Sequence, residues 1–185
     1  MSLLPVVKYG DPILRSKVDE VTDFSNIESL IDDMFDTMYH ESGIGLAANQ
    51  VGVKLAILVF DIGEHEFEDD KEVIGELFSD PKIFINPLIV ESAGECSMEE
   101  GCLSVPEIRA EIIRAETIIL QYDDMDQNAH SETFSGLSAR VLLHEIDHLN
   151  GKFFTDYLSP SKRMLIQKRL KEISLTGTPT TGIIL

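Results

Sequence analysis

Five consecutive residues, His144-Glu145-Ile146-Asp147-His148, restrict the folds open to this chain more than any other feature. In a helix of 3.6 residues per turn, side chains four apart stand one above the other. Both imidazoles can then reach a single cation while Glu145 projects beside its open coordination position. The flanks read as a helix: Ser135 and Gly136 open it, Leu137, Val141, His144 and His148 form one stripe, and Gly151 suits its C-terminal end. Strands before and after such a helix make it the buried centre of an α+β fold.

Two further segments carry chemistry. Glu100-Gly101-Cys102-Leu103-Ser104 offers a thiol, and Cys102 is one of two cysteines. Two histidines and a thiolate would leave a tetrahedral cation one position for water or substrate, the mark of a catalytic site rather than a closed structural one. Taken alone, Cys102 reads more readily as a small buried hydrophobe than as a ligand. Gly43-Ile44-Gly45-Leu46-Ala47-Ala48-Asn49-Gln50 combines small residues that suit close backbone approach with an amide, Gln50, able to donate to a developing oxyanion. By itself this stretch also fits a tight turn into a packing contact.

Together the three segments resemble the peptide deformylase family. They stand here as GIGLAANQ at 43–50, EGCLS at 100–104 and LHEIDHLNG at 143–151, and the opening Val6–Arg15 matches as well, so the resemblance spans about residues 4–175. Leu143 replaces the glutamine that usually precedes the first histidine, and Asn49 stands where the family most often has proline. The resemblance implies mostly antiparallel sheets around the His144–His148 helix, with a helix near the C-terminus. It implies that Cys102, His144 and His148 ligate one divalent ion, and that Glu145 is the general base. It gives the Gln50 amide and the Leu103 backbone N–H the oxyanion, and pairs Gly45 with an extended substrate backbone. Ile44, Leu137 and Val141 would help form the methionine pocket, with Glu100 and Arg109 near its rim. The implied reaction is hydrolysis of the formyl group from the N-terminal formylmethionine of new polypeptides. Coordination preference alone suits zinc. The resemblance argues for ferrous iron in the cell, with nickel, cobalt or zinc able to occupy the site.

Composition fits that reading. At 185 residues and 43% hydrophobic content, one soluble domain with a sizeable core is expected. The formal charge of −18 disfavours nonspecific binding to DNA or to an anionic membrane. Two cysteines without a secretory leader point to a reducing cytoplasm, with Cys96 a free structural thiol. Nascent peptides, met near the ribosome, are then the expected partners of a monomeric enzyme. His40, His65 and His130 lack ligand-like partners and read as surface or structural residues.

Along the chain, Ser25-Asn26-Ile27-Glu28 has the form of a capping box opening a helix to about Tyr39, with Ile27, Leu30, Ile31, Met34 and Met38 on its apolar side. The first motif then emerges into a loop. Leu55–Phe60 and Ile83–Val90 read as strands, the second interrupted by Asn86-Pro87 and so at an edge or a bulge. Residues 63–80 are rich in acids without a calcium-loop pattern and are expected to be a solvated insertion. Glu111–Tyr122 reads as strand broken at Arg114–Glu116, Asp123–Asn128 as a turn, and Thr133–Phe134 as the end of another strand. Ser159-Pro160 can start a basic helix over Ser161–Ser174, and 176–185 forms a mobile or extended tail. A zinc endopeptidase is the nearest rival, but it would need a third His or Glu ligand downstream of His148 in a recognisable setting.

Overall fold

The computed structural model describes residues 2–62, 81–178 and 183–185, and it places the pentapeptide helix between two sheets. The elements run α1 (Glu28–His40), β1 (Gly45–Ala47), β2 (Ile57–Phe60), β3 (Lys82–Ala93), β4 (Cys96–Cys102), β5 (Val105–Arg114), β6 (Thr117–Asp123), β7 (Ala129–Ser135), α2 (Gly136–Leu149), α3 (Pro160–Thr176) and β8 (Ile183–Ile184). One sheet is antiparallel with order β1-β2-β3-β6-β7. The other has order β4-β5-β8, with β8 parallel to β5. This is the α+β architecture expected.

Three apolar clusters hold the layers together. Leu58, Phe84, Leu120, Phe134, Leu142 and Ile146 pack the five-stranded sheet onto α2. Phe84 is fully buried, with edge contacts to Phe60 and Phe134. Ile31, Met34 and Met38 carry α1 onto the other face of that sheet, at Leu46 and Val59. Val105, Ile108, Ala110 and Ile112 pack β5 against Phe153, Phe154 and the α3 residues Ile166, Leu170 and Ile173. Burying each such large side chain stabilises the fold by roughly 1.5–3 kcal/mol.

Ten of the fourteen residues of α2 are buried. A helix buried on nearly all sides belongs at the centre of a fold. Gly151 ends it at φ +72°, where an added Cβ would lie 2.6 Å from the Arg15 carbonyl oxygen, so no other residue fits.

Several details differ from expectation. Ser25 does not cap α1: its N–H and hydroxyl both donate to Asp23, and the helix starts at Glu28 without a side-chain cap. The first motif is more ordered than a loop, because Gly45–Ala47 pairs with β2 and Ala48–Val51 makes a 3₁₀ turn. β3 lies in the middle of its sheet, and Asn86-Pro87 forms a bulge there. Asn86, at φ +53°, accepts from the Val21 N–H and donates to the Val21 carbonyl and to Asp123, which secures the irregular backbone. α3 begins as expected, with the Ser159 hydroxyl accepting from the Lys162 N–H and Pro160 in its first turn. The chain end is extended: Leu185 exchanges backbone hydrogen bonds with Arg109 and Glu111 beside β8. The acidic stretch 63–80, with His65, lies outside the described residues, as do residues 179–182.

Candidate metal centre and active-site cleft

β4 and β5 form a hairpin whose two-residue turn, Leu103-Ser104, follows Cys102 directly. The hairpin brings the Cys102 thiol against one face of α2. Cys102 Sγ lies 3.1 Å from His148 Nε2, and the two Nε2 atoms lie 3.2 Å apart. All three donor atoms fall within 4.8 Å of one another, the one such group of potential ligands among the described residues. Two ring nitrogens facing each other so closely repel unless a proton or a cation lies between them. A thiolate with two imidazoles suits a borderline-soft divalent ion and leaves one coordination position free. The residues therefore fit a catalytic cation.

The groups behind the ligands were not anticipated. His144 Nδ1 contacts Glu100 Oε2 at 2.9 Å; a carboxylate only accepts, so Nδ1 carries a proton and Nε2 is the atom left to face a cation. Glu100 also accepts twice from Arg114, at 2.6 and 3.0 Å, and once from Arg140, at 2.7 Å. Arg114 continues to Asp147, whose other oxygen accepts from the Tyr157 hydroxyl. Burial alone would raise the Glu100 pKa, but His144 and Arg114 outweigh it and hold the carboxyl well below its usual range. Glu100 lines the cleft near which it was expected, and it is in addition buried and hydrogen-bonded to His144. Arg140, His144 and Asp147 follow helical spacing along one stripe of α2, and Ile108, Ala110, Ile112 and Arg114 share the buried face of β5. The alternation of β5 is the signal that could have revealed Arg114, since a charge on a core face must be paired.

Burial pushes His148 well below the ordinary imidazole range. Burial acts likewise on His144, but its Cys102 and Glu100 partners reverse the direction and raise it. Binding a cation to this set accordingly releases protons. Asn49, fully buried, donates to the His148 carbonyl at 2.6 Å, a bond proline could not make. Leu143 packs half-buried against the cluster beneath the five-stranded sheet.

The centre opens into a cleft of about 680 Å³ lined by Ile44, Gly45, Leu103, Arg109, Leu137 and Val141, among others. Gly45 is required by crowding: an added Cβ would meet Val141 Cγ1 at 2.7 Å and Glu145 Oε1 at 2.9 Å. Glu145 is buried, with Oε2 unpartnered among the described residues, and burial pushes its carboxyl up to about 7. Gln50 is oriented by the Ala47 N–H, which donates to its amide oxygen at 2.8 Å. Its Nε2 is thereby turned toward Cys102 Sγ at 3.6 Å. Arg109 lies at the mouth, largely exposed, paired with Glu99 at 3.2 Å. His40 ends α1 at the surface, and His130 stacks on Tyr122 and contacts Asp124, both apart from the centre. Cys96 carries a free thiol at the start of β4.

Replacing Arg114 by Met leaves the buried Glu100 and Asp147 without their shared cation. The expected result is a loss of about 3–5 kcal/mol of stability and metal affinity weakened about 10–100-fold. Urea denaturation and metal titration check both, and a loss of under about 1 kcal/mol would show that the network is not structural.

A buried helix presenting two histidines to a thiol, with a buried carboxylate oxygen of Glu145 left unpartnered among the described residues, fits a metal-dependent hydrolase. A family model described as polypeptide deformylase matches residues 3–164. The chain is 44% identical over 178 residues to the peptide deformylase of Christiangramia forsetii, covering 93% of this chain and 90% of that one. It is 45% identical over 173 residues to that of Chlorobaculum parvum, covering 92% and 88%. Among solved structures, the peptide deformylase of Ehrlichia chaffeensis superposes with a TM-score of 0.81 at 41% identity, over 95% of this chain and 98% of that one. That of Thermus thermophilus gives 0.82 at 34% identity, over 94% and 98%. The chain belongs to the peptide deformylase family. Its reaction is hydrolysis of the formyl group from the N-terminal formylmethionine of newly made polypeptides, releasing formate.

Proposed function

We propose that this hydrolysis uses one divalent cation, ferrous iron in the cell, held by Cys102, His144 and His148. The observation that carries the reading is the convergence of the Cys102 thiol and two Nε2 atoms, with a buried, unpartnered Glu145 oxygen on the same helix as the histidines. A cation bound there supplies electrophilic polarisation of the formyl oxygen and activates water at neutral pH. Glu145 takes the proton of the attacking water and delivers it to the departing amine, a shuttle suited to a carboxyl whose pKa burial has brought near neutrality. The Gln50 amide and the Leu103 backbone N–H donate to the oxyanion. Gly45, on the short strand β1, pairs with the substrate backbone, while Ile44, Leu137 and Val141 receive the methionine side chain and Arg109 borders the entrance. The enzyme is a single-domain monomer that meets nascent chains near the ribosome, in the cytoplasm. Its formal charge of −18 supports a protein that keeps off DNA and anionic membranes. Among the described residues, no helix is long and apolar enough to cross a membrane.

The test is formate release from a formylmethionyl peptide by protein loaded anaerobically with iron or with nickel. Both forms turn over without oxygen. In air the iron form loses activity with time, because the ion or its thiolate ligand is oxidised, whereas the nickel form persists. Equal decay in air would overturn the assignment of iron, and no formate release from either form would overturn the reading as a whole.

A further inference from the structure

The two oxyanion donors sit on separate pieces of chain, Gln50 after β1 and Leu103 in the β4–β5 turn, and one extended segment at the start of the chain ties them together. The Val7 N–H donates to the Gln50 carbonyl at 2.8 Å, and the Tyr9 N–H to the Ser104 carbonyl at 2.8 Å. Between them, Lys8 Nζ donates to the Leu103 carbonyl at 2.9 Å. Two successive carbonyls of a two-residue turn are therefore anchored to the strip that also anchors Gln50. The Lys8 bond is the one of the three made by a side chain. With 33 acidic residues in the chain, this ammonium is nevertheless directed at a neutral main-chain carbonyl. The Lys8 Cγ lies near Gly177, just past the C-terminal end of α3.

We infer that Lys8 is a positioning residue for the reaction, fixing the Leu103 turn so that the Leu103 N–H is held toward the oxyanion. This rests on the assignment of Leu103 as an oxyanion donor. Preorganisation is the reason such donors are effective, since a donor that must reorganise during the reaction contributes less. Removing a whole donor costs on the order of 10²–10³ in turnover, and a donor loosened but still present costs a fraction of that. Lys8 is not among the residues that line the cleft, so substrate binding in the ground state is expected to be independent of it.

The test compares Lys8→Met, which keeps the stem and removes the ammonium, with Lys8→Arg, which restores a donor. Lys8→Met lowers kcat about tenfold with KM within twofold, and metal content and Tm stay close to those of the parent. Hydrogen exchange across residues 101–105 becomes faster in the same variant. Lys8→Arg recovers kcat to within about threefold. Unchanged kcat with unchanged exchange would overturn the role of Lys8 itself. Faster exchange with unchanged kcat would show that the turn is held by Lys8 but that Leu103 is not an oxyanion donor, which overturns the underlying assignment. A fall in Tm with kcat per folded molecule intact, or no recovery with Arg, would mark a purely structural role and likewise overturn the inference.

Discussion

Glu145→Ala releases formate about 10³-fold more slowly than the parent enzyme while it keeps its fold and its metal. General acid–base catalysis by a positioned side chain contributes about 10²–10⁴-fold, and in the proposed mechanism one carboxylate both takes and returns the proton. The ligands Cys102, His144 and His148 are untouched by the change, and Glu145 contributes no donor atom to their cluster. Stability should not fall as activity does. Glu145 is buried, and one of its oxygens has no partner among the described residues. Deleting an ill-satisfied buried acid removes a desolvation cost, so the melting temperature of the variant is equal to or above that of the parent. Formate release, metal analysis and calorimetry on one preparation separate these effects. Turnover within tenfold of the parent would show that the proton travels by another group.

Cys102→Ser abolishes formate release by emptying the site, whereas Cys96→Ser leaves both metal content and activity as they are. A serine hydroxyl is a poor replacement for a thiolate on a borderline-soft ion, and it must lose a proton of much higher pKa to act as a ligand. The two cysteines make an internal control, because both are free thiols of similar partial exposure in the same strand. Cys102 lies 3.1 Å from His148 Nε2, while the contact of the Cys96 sulfur is the Ser97 carbonyl at 3.8 Å. Metal content of the two purified variants decides the matter, and equal retention would remove Cys102 from the ligand set.

The residues that meet at the centre were legible in the sequence because their chemistry is tied to fixed spacing. His144 and His148 are four apart, and α2 does place them on one face. The long strands of the first sheet were legible from β-branched runs, and the break at Ala115-Glu116 separates β5 from β6. β4 escaped notice, since Cys96–Cys102 holds three charged or small polar residues beside a glycine and has little apolar alternation. Its pairing with β5 is a tertiary fact that local propensity does not contain. The supporting ion pairs were illegible for a similar reason. Glu100 and Arg114 lie on the paired strands β4 and β5, and they meet Arg140 and Asp147 of α2 only when the hairpin docks on that helix. Their shared burial gave a clue in the phase of β5, yet nothing in spacing pairs Glu100 with His144. Lys8 was hidden more deeply, because its partner is a main-chain carbonyl 95 residues away.

The three proposed ligands come from opposite sides of a layer boundary: Cys102 belongs to the hairpin packed with α3, and the histidines to the helix packed on the larger sheet. A cation bound by all three is therefore a cross-link between two parts of the molecule that otherwise meet through the Glu100 ion pairs and their neighbours. Parting the hairpin from the helix would separate the three donor atoms, so opening of that boundary would weaken the hold on the ion. Conversely, a bound ion would resist any fluctuation that separates the layers, and it would stabilise the folded chain by an amount that grows with the logarithm of the ratio of its free concentration to its dissociation constant. Metal content and conformational lifetime are in this way two readings of one mechanical joint.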